Sequence, residues 1–160
     1  MQIEKYTTEQ VNSTTYKFYS LGPKGEIELR IGFTPINEDL YNLAFGVWDS
    51  VSEGIDDIVE TKNNDMDIIL GTVAQTTLNF LNDHPKSYII ATGSTAVRTR
   101  KYQMGINQNL AELIKDYIVG GFIAIKNSEN NFVGNWPEWD GEWQEFEGGV
   151  NYNAFLLYLK

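Results

Sequence analysis

The chain has 160 residues, 42% of them hydrophobic and 13% aromatic, which is enough apolar material for one filled core and too much for a disordered segment. Its formal net charge of -10 excludes general affinity for nucleic-acid phosphate or an anionic membrane surface. The lack of cysteine excludes a disulfide framework, a thiolate metal site and a cysteine nucleophile, and the single histidine, His84, excludes a metal site built on two imidazoles.

In chain order, the opening Gln2-Ile3-Glu4-Lys5-Tyr6 after Met1 has neither the basic start nor the apolar run of an export signal, and no stretch reaches the roughly 20 apolar residues of a membrane span. These features predict a soluble, cytoplasmic protein with no membrane partner. Thr14 to Ser20, the turn chemistry of Gly22-Pro23-Lys24-Gly25 and the alternation of Ile27, Leu29, Ile31 and Phe33 predict a hairpin with one buried face. A third strand follows over Leu40 to Trp48, then an acidic loop from Asp49 to Glu60.

The period then changes. Met66, Ile69, Leu70, Val73, Thr77, Phe80 and Leu81 fall on a helical stripe that starts near Asn64 and ends at His84-Pro85. Ser87 to Thr92 predicts a short buried strand, and Gly93-Ser94-Thr95 turns it into a second helix running to about Lys115. Strands over Ile118 to Lys126 and Asn153 to Leu159 complete the order β-β-β-α-β-α-β-β. The fold class is therefore α+β, with two main helices on a mainly antiparallel sheet, in a single domain spanning residues 1 to 160.

Three of the twelve basic residues, Arg98, Arg100 and Lys101, crowd the start of the second helix, where the backbone already carries partial positive charge. An anion should compensate. Either Gly93, Ser94, Thr95, Arg98 and Arg100 hold a phosphate, carboxylate or nucleotide, or the arginines pair with acids such as Asp56 and Asp57 of the preceding loop. Tyr102, one turn beyond Arg98, is the candidate proton donor if a cleft lies there, and otherwise a core residue. His84 reads as a surface loop residue. The acids between Asp49 and Asp57 lack the spacing of a calcium loop and read as a solvated turn, so no metal is expected.

The segment from Trp136 to Glu147 is less ordinary, because it interleaves Trp136, Trp139, Trp143 and Phe146 with five acids and no base. Such a pattern suits an interaction surface for a basic protein partner or a carbohydrate-like face. The other reading folds the tryptophans back over the core.

Tyr41 to Asp49, Ile55-Asp56-Asp57, Gly71 to Ala74, Gly93 to Ile106 and Gly149 to Leu156 resemble a family of small uncharacterised proteins found mostly in Bacteroidetes, whose function is unknown. More loosely, the succession of strands, helix, strand and a tyrosine-bearing helix is similar to an acyl-CoA N-acetyltransferase domain. That resemblance implies a pyrophosphate-binding, glycine-rich loop opening the first helix, but Asn63 to Gly71 lacks the glycine pair and puts Asp65 and Asp67 there. The leading expectation is a small binding or interaction protein with no complete catalytic motif and no cofactor. The alternatives are an acetyltransferase-like or nucleotide-handling enzyme with its anion site near Arg98, and an acidic inhibitor that mimics nucleic acid.

Overall fold

The computed structural model describes residues 2–160, so Met1, part of the N-terminal reading above, lies outside the described residues. The fold is α+β, with two helices and nine mostly antiparallel strands in which the expected order is present. The described residues form two compact units, one running up to Ile89 with Leu159 added, the other from Ile90 to Tyr158 with Lys160. No helix among the described residues is long and apolar enough to cross a membrane.

The first unit is built on an antiparallel meander of β1 (Glu9–Asn12), β2 (Thr15–Gly22), β3 (Gly25–Pro35) and β4 (Leu40–Asp49), with β5 (Gly54–Asp56) folded back on β4. The two-residue turn at Pro23-Lys24 sets the β2–β3 register, pairing Gly22 with Gly25 and Phe18 with Leu29. Alternation then sends Phe18, Leu29, Ile31, Phe33 and Phe45 into the core. They meet helix α1 (Met66–Asp83), where the Phe80 ring stacks on Phe33 at 4.2 Å between centroids. Ile69, Val73, Leu78 and Leu81 complete the buried side of α1.

Three buried threonines on α1 lower the cost of burying a hydroxyl by donating one turn back. Thr72, Thr76 and Thr77 bond the carbonyls of Ile68, Thr72 and Val73 at 2.7, 2.7 and 2.8 Å. The helix therefore presents methyl groups to the core.

The second unit holds Ile90 and Ala91 of β6 (Tyr88–Ala91), all of β7 (Tyr117–Ala124) and β8 (Gly141–Glu145), and β9 (Ala154–Leu159) as far as Tyr158, in the order β6-β9-β7-β8. Helix α2 (Ala96–Asp116) packs against β7 and buries only Arg98, Gln103 and Leu113. β1, β5 and β8 are strands that periodicity does not reveal, since each is at most five residues long and none alternates between buried and exposed positions.

Candidate functional site

The first candidate from sequence, the start of α2, is a closed capping network. Thr95 is the N-cap and its hydroxyl accepts the Arg98 amide at 3.2 Å, while its carbonyl takes the Thr99 amide at 3.0 Å. The Thr99 hydroxyl in turn accepts the Gly93 amide at 3.1 Å and donates to the Thr95 carbonyl. The Gly93 and Arg98 amides are thus satisfied within the chain, and the Thr99 amide makes the first bond of the helix itself. Ser94 and Thr95 are exposed, as is Arg100, whereas Arg98 is only 8% exposed and engaged within the protein. The two arginines diverge, one inward and one to solvent. Tyr102 is half-buried with its ring edge-on to Phe155 at 6.5 Å, as a core tyrosine sits.

The segment before α1 is equally committed. Asn63 accepts the Lys24 amide at 2.7 Å and donates to the Gly25 carbonyl and the Ser20 hydroxyl, which fastens it to the β2–β3 turn. Asp65, 5% exposed, accepts bonds from the hydroxyls of Tyr6 at 2.7 Å, Thr61 at 3.1 Å and Ser20. Gly71 lies directly beneath the Glu4 carbonyl, where a Cβ would collide. No glycine-rich amide loop faces outward here, and a buried carboxylate stands where a pyrophosphate would need donors. This hydroxyl–carboxylate cluster is invisible in the sequence because its members come from three separate segments.

In the acidic loop, the Asp49 carboxylate accepts the amides of Val51 at 2.9 Å and Ser52 at 3.4 Å, and Asp56 does the same for Ile58 and Val59. The Val51 amide, followed by the Ser52 hydroxyl and amide, holds the Asp49 carboxyl below its ordinary value. These acids are turn formers. His84 closes α1, its ring stacked on Phe80 at 4.3 Å and its Nδ1 3.0 Å from the Phe80 carbonyl.

The aromatic segment has a different character. Between β7 and β8 the loop is fastened by its own main chain: Asn127 donates to the Asn131 carbonyl, Asp140 to Val133 and Ile125 to Asp140. The Asn127 side chain accepts the amides of Glu129 and Asn131, both at 3.0 Å. On this frame the Phe132 and Trp139 rings stack face to face at 3.8 Å and 3°, and Trp136 leans on Trp139 at 4.8 Å. The Lys126 ammonium sits over the outer ring, 4.7 Å from the Phe132 centroid. Trp136 and Trp139 are half-buried by one another, and Phe132 remains 38% exposed.

Trp143 stands on β8, tilted against Phe122 at 5.0 Å and 39% exposed. Phe146 goes the other way: at 5% exposure it packs on Tyr152 and Phe155 and belongs to the core. Of the four aromatics expected at a surface, three share the loop–β8 region and one anchors it. Phe132 and Lys126, which complete the stack, escaped sequence reading because they lie before the tryptophan-rich stretch in a segment that reads only as a polar turn.

The anchoring comes from α2. The Gln103 side chain, buried, donates to the Val150 carbonyl and accepts the Tyr152 amide at 2.9 Å. The Tyr152 ring then lies flat over Gly121 of β7, where any Cβ would strike it. Its hydroxyl accepts the Glu147 amide at 2.9 Å and reaches the Glu145 carbonyl at 3.3 Å, which pins the end of β8. Between Lys126 and Glu147 the sequence carries six acids, Glu129, Glu138, Asp140, Glu142, Glu145 and Glu147, and one base, Lys126. The segment thus combines aromatic rings with an excess of carboxylates.

A family model described as "Family of unknown function (DUF6934)" matches residues 2–160. No curated protein and no solved structure matches the chain.

Proposed function

We propose that this chain, which belongs to the family of unknown function DUF6934, is a binding protein whose working face is the aromatic, acidic surface of the β7–β8 loop and β8. The observation that carries this reading is the Phe132–Trp139–Trp136 stack, held at the surface by a loop that bonds to itself, beside a solvent-facing Trp143. A free loop does not keep three large rings ordered without a use for them, and rigid aromatics bind with little loss of side-chain entropy. The reading includes a cytoplasmic setting, which a cysteine-free chain suits.

The enzyme alternative has less support, since the amides of Gly93, Arg98 and Thr99 already have partners and Arg98 points inward. The nucleic-acid-mimic alternative lacks a supporting regular array, because Asp49, Asp56 and Asp65 are each spent on bonds within the chain.

Affinity capture with the wild type and with Trp139→Ala and Trp143→Ala variants, each checked for folding by its thermal transition, tests the binding face. A partner held by the wild type and lost by both variants supports it. Equal recovery of every partner by all three proteins overturns it. Coenzyme A, nucleotides and phosphate should leave the thermal midpoint unchanged, and a shift that disappears in Arg98→Ala would restore the enzyme reading.

A further inference from the structure

We infer that β8 is a docking edge for an extended, basic peptide segment, which adds to it as a further strand. The inference rests on the binding reading above and specifies the partner's chemistry and its mode of attachment.

The backbone parity of β8 carries the first step. Gly120 faces Glu145 and Phe122 faces Trp143, while the Phe146 amide donates to the Val119 carbonyl and the Ile125 amide to the Asp140 carbonyl. Antiparallel strands exchange their hydrogen bonds at alternate residues, so the even-numbered residues from Asp140 to Phe146 bond to β7. The odd-numbered ones, Gly141, Trp143 and Glu145, therefore turn their amides and carbonyls away from β7. Among the described residues β8 pairs with no other strand, and all five of its residues are exposed. The Glu145 carbonyl is already reached by Tyr152, so the edge open to a partner centres on Trp143, with the amides of Gly141 and Glu145 on either side.

Exposed edges are usually blunted by lysine, proline or a bulge. This one has none of these: its sequence is Gly-Glu-Trp-Gln-Glu, paired with β7 in continuous register. Its charges are all negative, with Glu138 and Asp140 just before it and Glu147 just after. A second copy of the chain would bring the same carboxylates edge to edge between two molecules of net charge -10, which opposes self-pairing. A strand carrying lysine or arginine meets the opposite condition. Its main chain would pair with Trp143, and basic side chains on one face would lie beside Glu145 and over the Trp143 ring, or on the other face beside Glu142.

The test uses the wild-type protein and four synthetic octapeptides: acetylated alternating Lys-Val, its Glu-Val counterpart, and two Lys-Val peptides, each N-methylated on the amides of one edge. The two edges are methylated in separate preparations. Binding of Lys-Val, exchange protection of the Gly141, Trp143 and Glu145 amides, and a loss of at least about tenfold in affinity when one edge is methylated support the inference. Glu-Val should not bind. Binding insensitive to methylation at both edges overturns strand addition while leaving the aromatic face as a binding surface. Failure of Lys-Val to bind at millimolar concentration, or concentration-dependent protection of these amides without peptide, also overturns it. Neither result decides the capture experiment with Trp139→Ala and Trp143→Ala, which stands on its own.

Discussion

At the scale of single residues, the Asp65 carboxylate gathers three hydroxyl donors from separate parts of the chain. Asp65→Ala would leave the buried hydroxyls of Ser20 and Thr61 without their acceptor and the Tyr6 hydroxyl with only its longer bond to the Leu21 carbonyl. Each orphaned buried donor costs on the order of 1 kcal/mol or more, so urea denaturation should report a loss of about 3 kcal/mol. A loss below about 1 kcal/mol would mean that the cluster does not hold the N-terminal segment to the β2–β3 turn. Tyr6 gives a second readout. Burial raises its hydroxyl above the ordinary value of 10.0; the Leu21 amide opposes the rise and the Asp65 carboxylate adds to it. A tyrosine raised in the folded state contributes stability that is whole below the unfolded value and is lost as pH climbs through the higher folded one. Stability should therefore fall above about pH 10, and Tyr6→Phe should lessen that fall. Tyr16, raised by burial and by Asp83, contributes to the fall in the same sense.

Among the secondary-structure elements, the site depends on β7, β8 and the Tyr152 clamp. Gly121→Ala places a Cβ inside the Tyr152 ring, which has to leave Gly121 and with it the Glu147 amide. Overpacking of this kind costs roughly 1–3 kcal/mol, and calorimetry should record a lower midpoint together with faster amide exchange at Glu147. An unchanged midpoint would show that Tyr152 does not clamp the strand. The elements also differ in how plainly the sequence announced them. The β2–β3 hairpin was legible because Gly22-Pro23-Lys24-Gly25 sits between alternating strands, the first helix from its apolar stripe, and the second from the Gly93-Ser94-Thr95 turn that opens it. β8 was not, because a strand exposed on all five residues has no alternation to read. Phe146 misled for a related reason: one residue past the exposed strand its side chain turns inward against Tyr152 and Phe155, a choice set by contacts distant in sequence.

For the whole molecule, the net charge of -10 excludes a generally basic binder, and its distribution now has a physical account. The acids of the Asp49–Asp67 stretch include Asp49, Asp56 and Asp65, which are used to build turns and a buried cluster. Those between Glu138 and Glu147 alternate in sequence with Trp139, Trp143 and Phe146. Binding of a basic partner to that surface should weaken severalfold as ionic strength rises from about 0.1 M to 1 M, where the screening length falls from about 10 Å to about 3 Å. Salt-independent binding would put the contact on the rings alone. The most direct measurement is an amide hydrogen-exchange footprint of the protein alone and in complex with its captured partner. Protection concentrated in residues 126–147, strongest at Trp143, is the result predicted here. Protection concentrated at residues 93–102, with 126–147 unchanged, would contradict it.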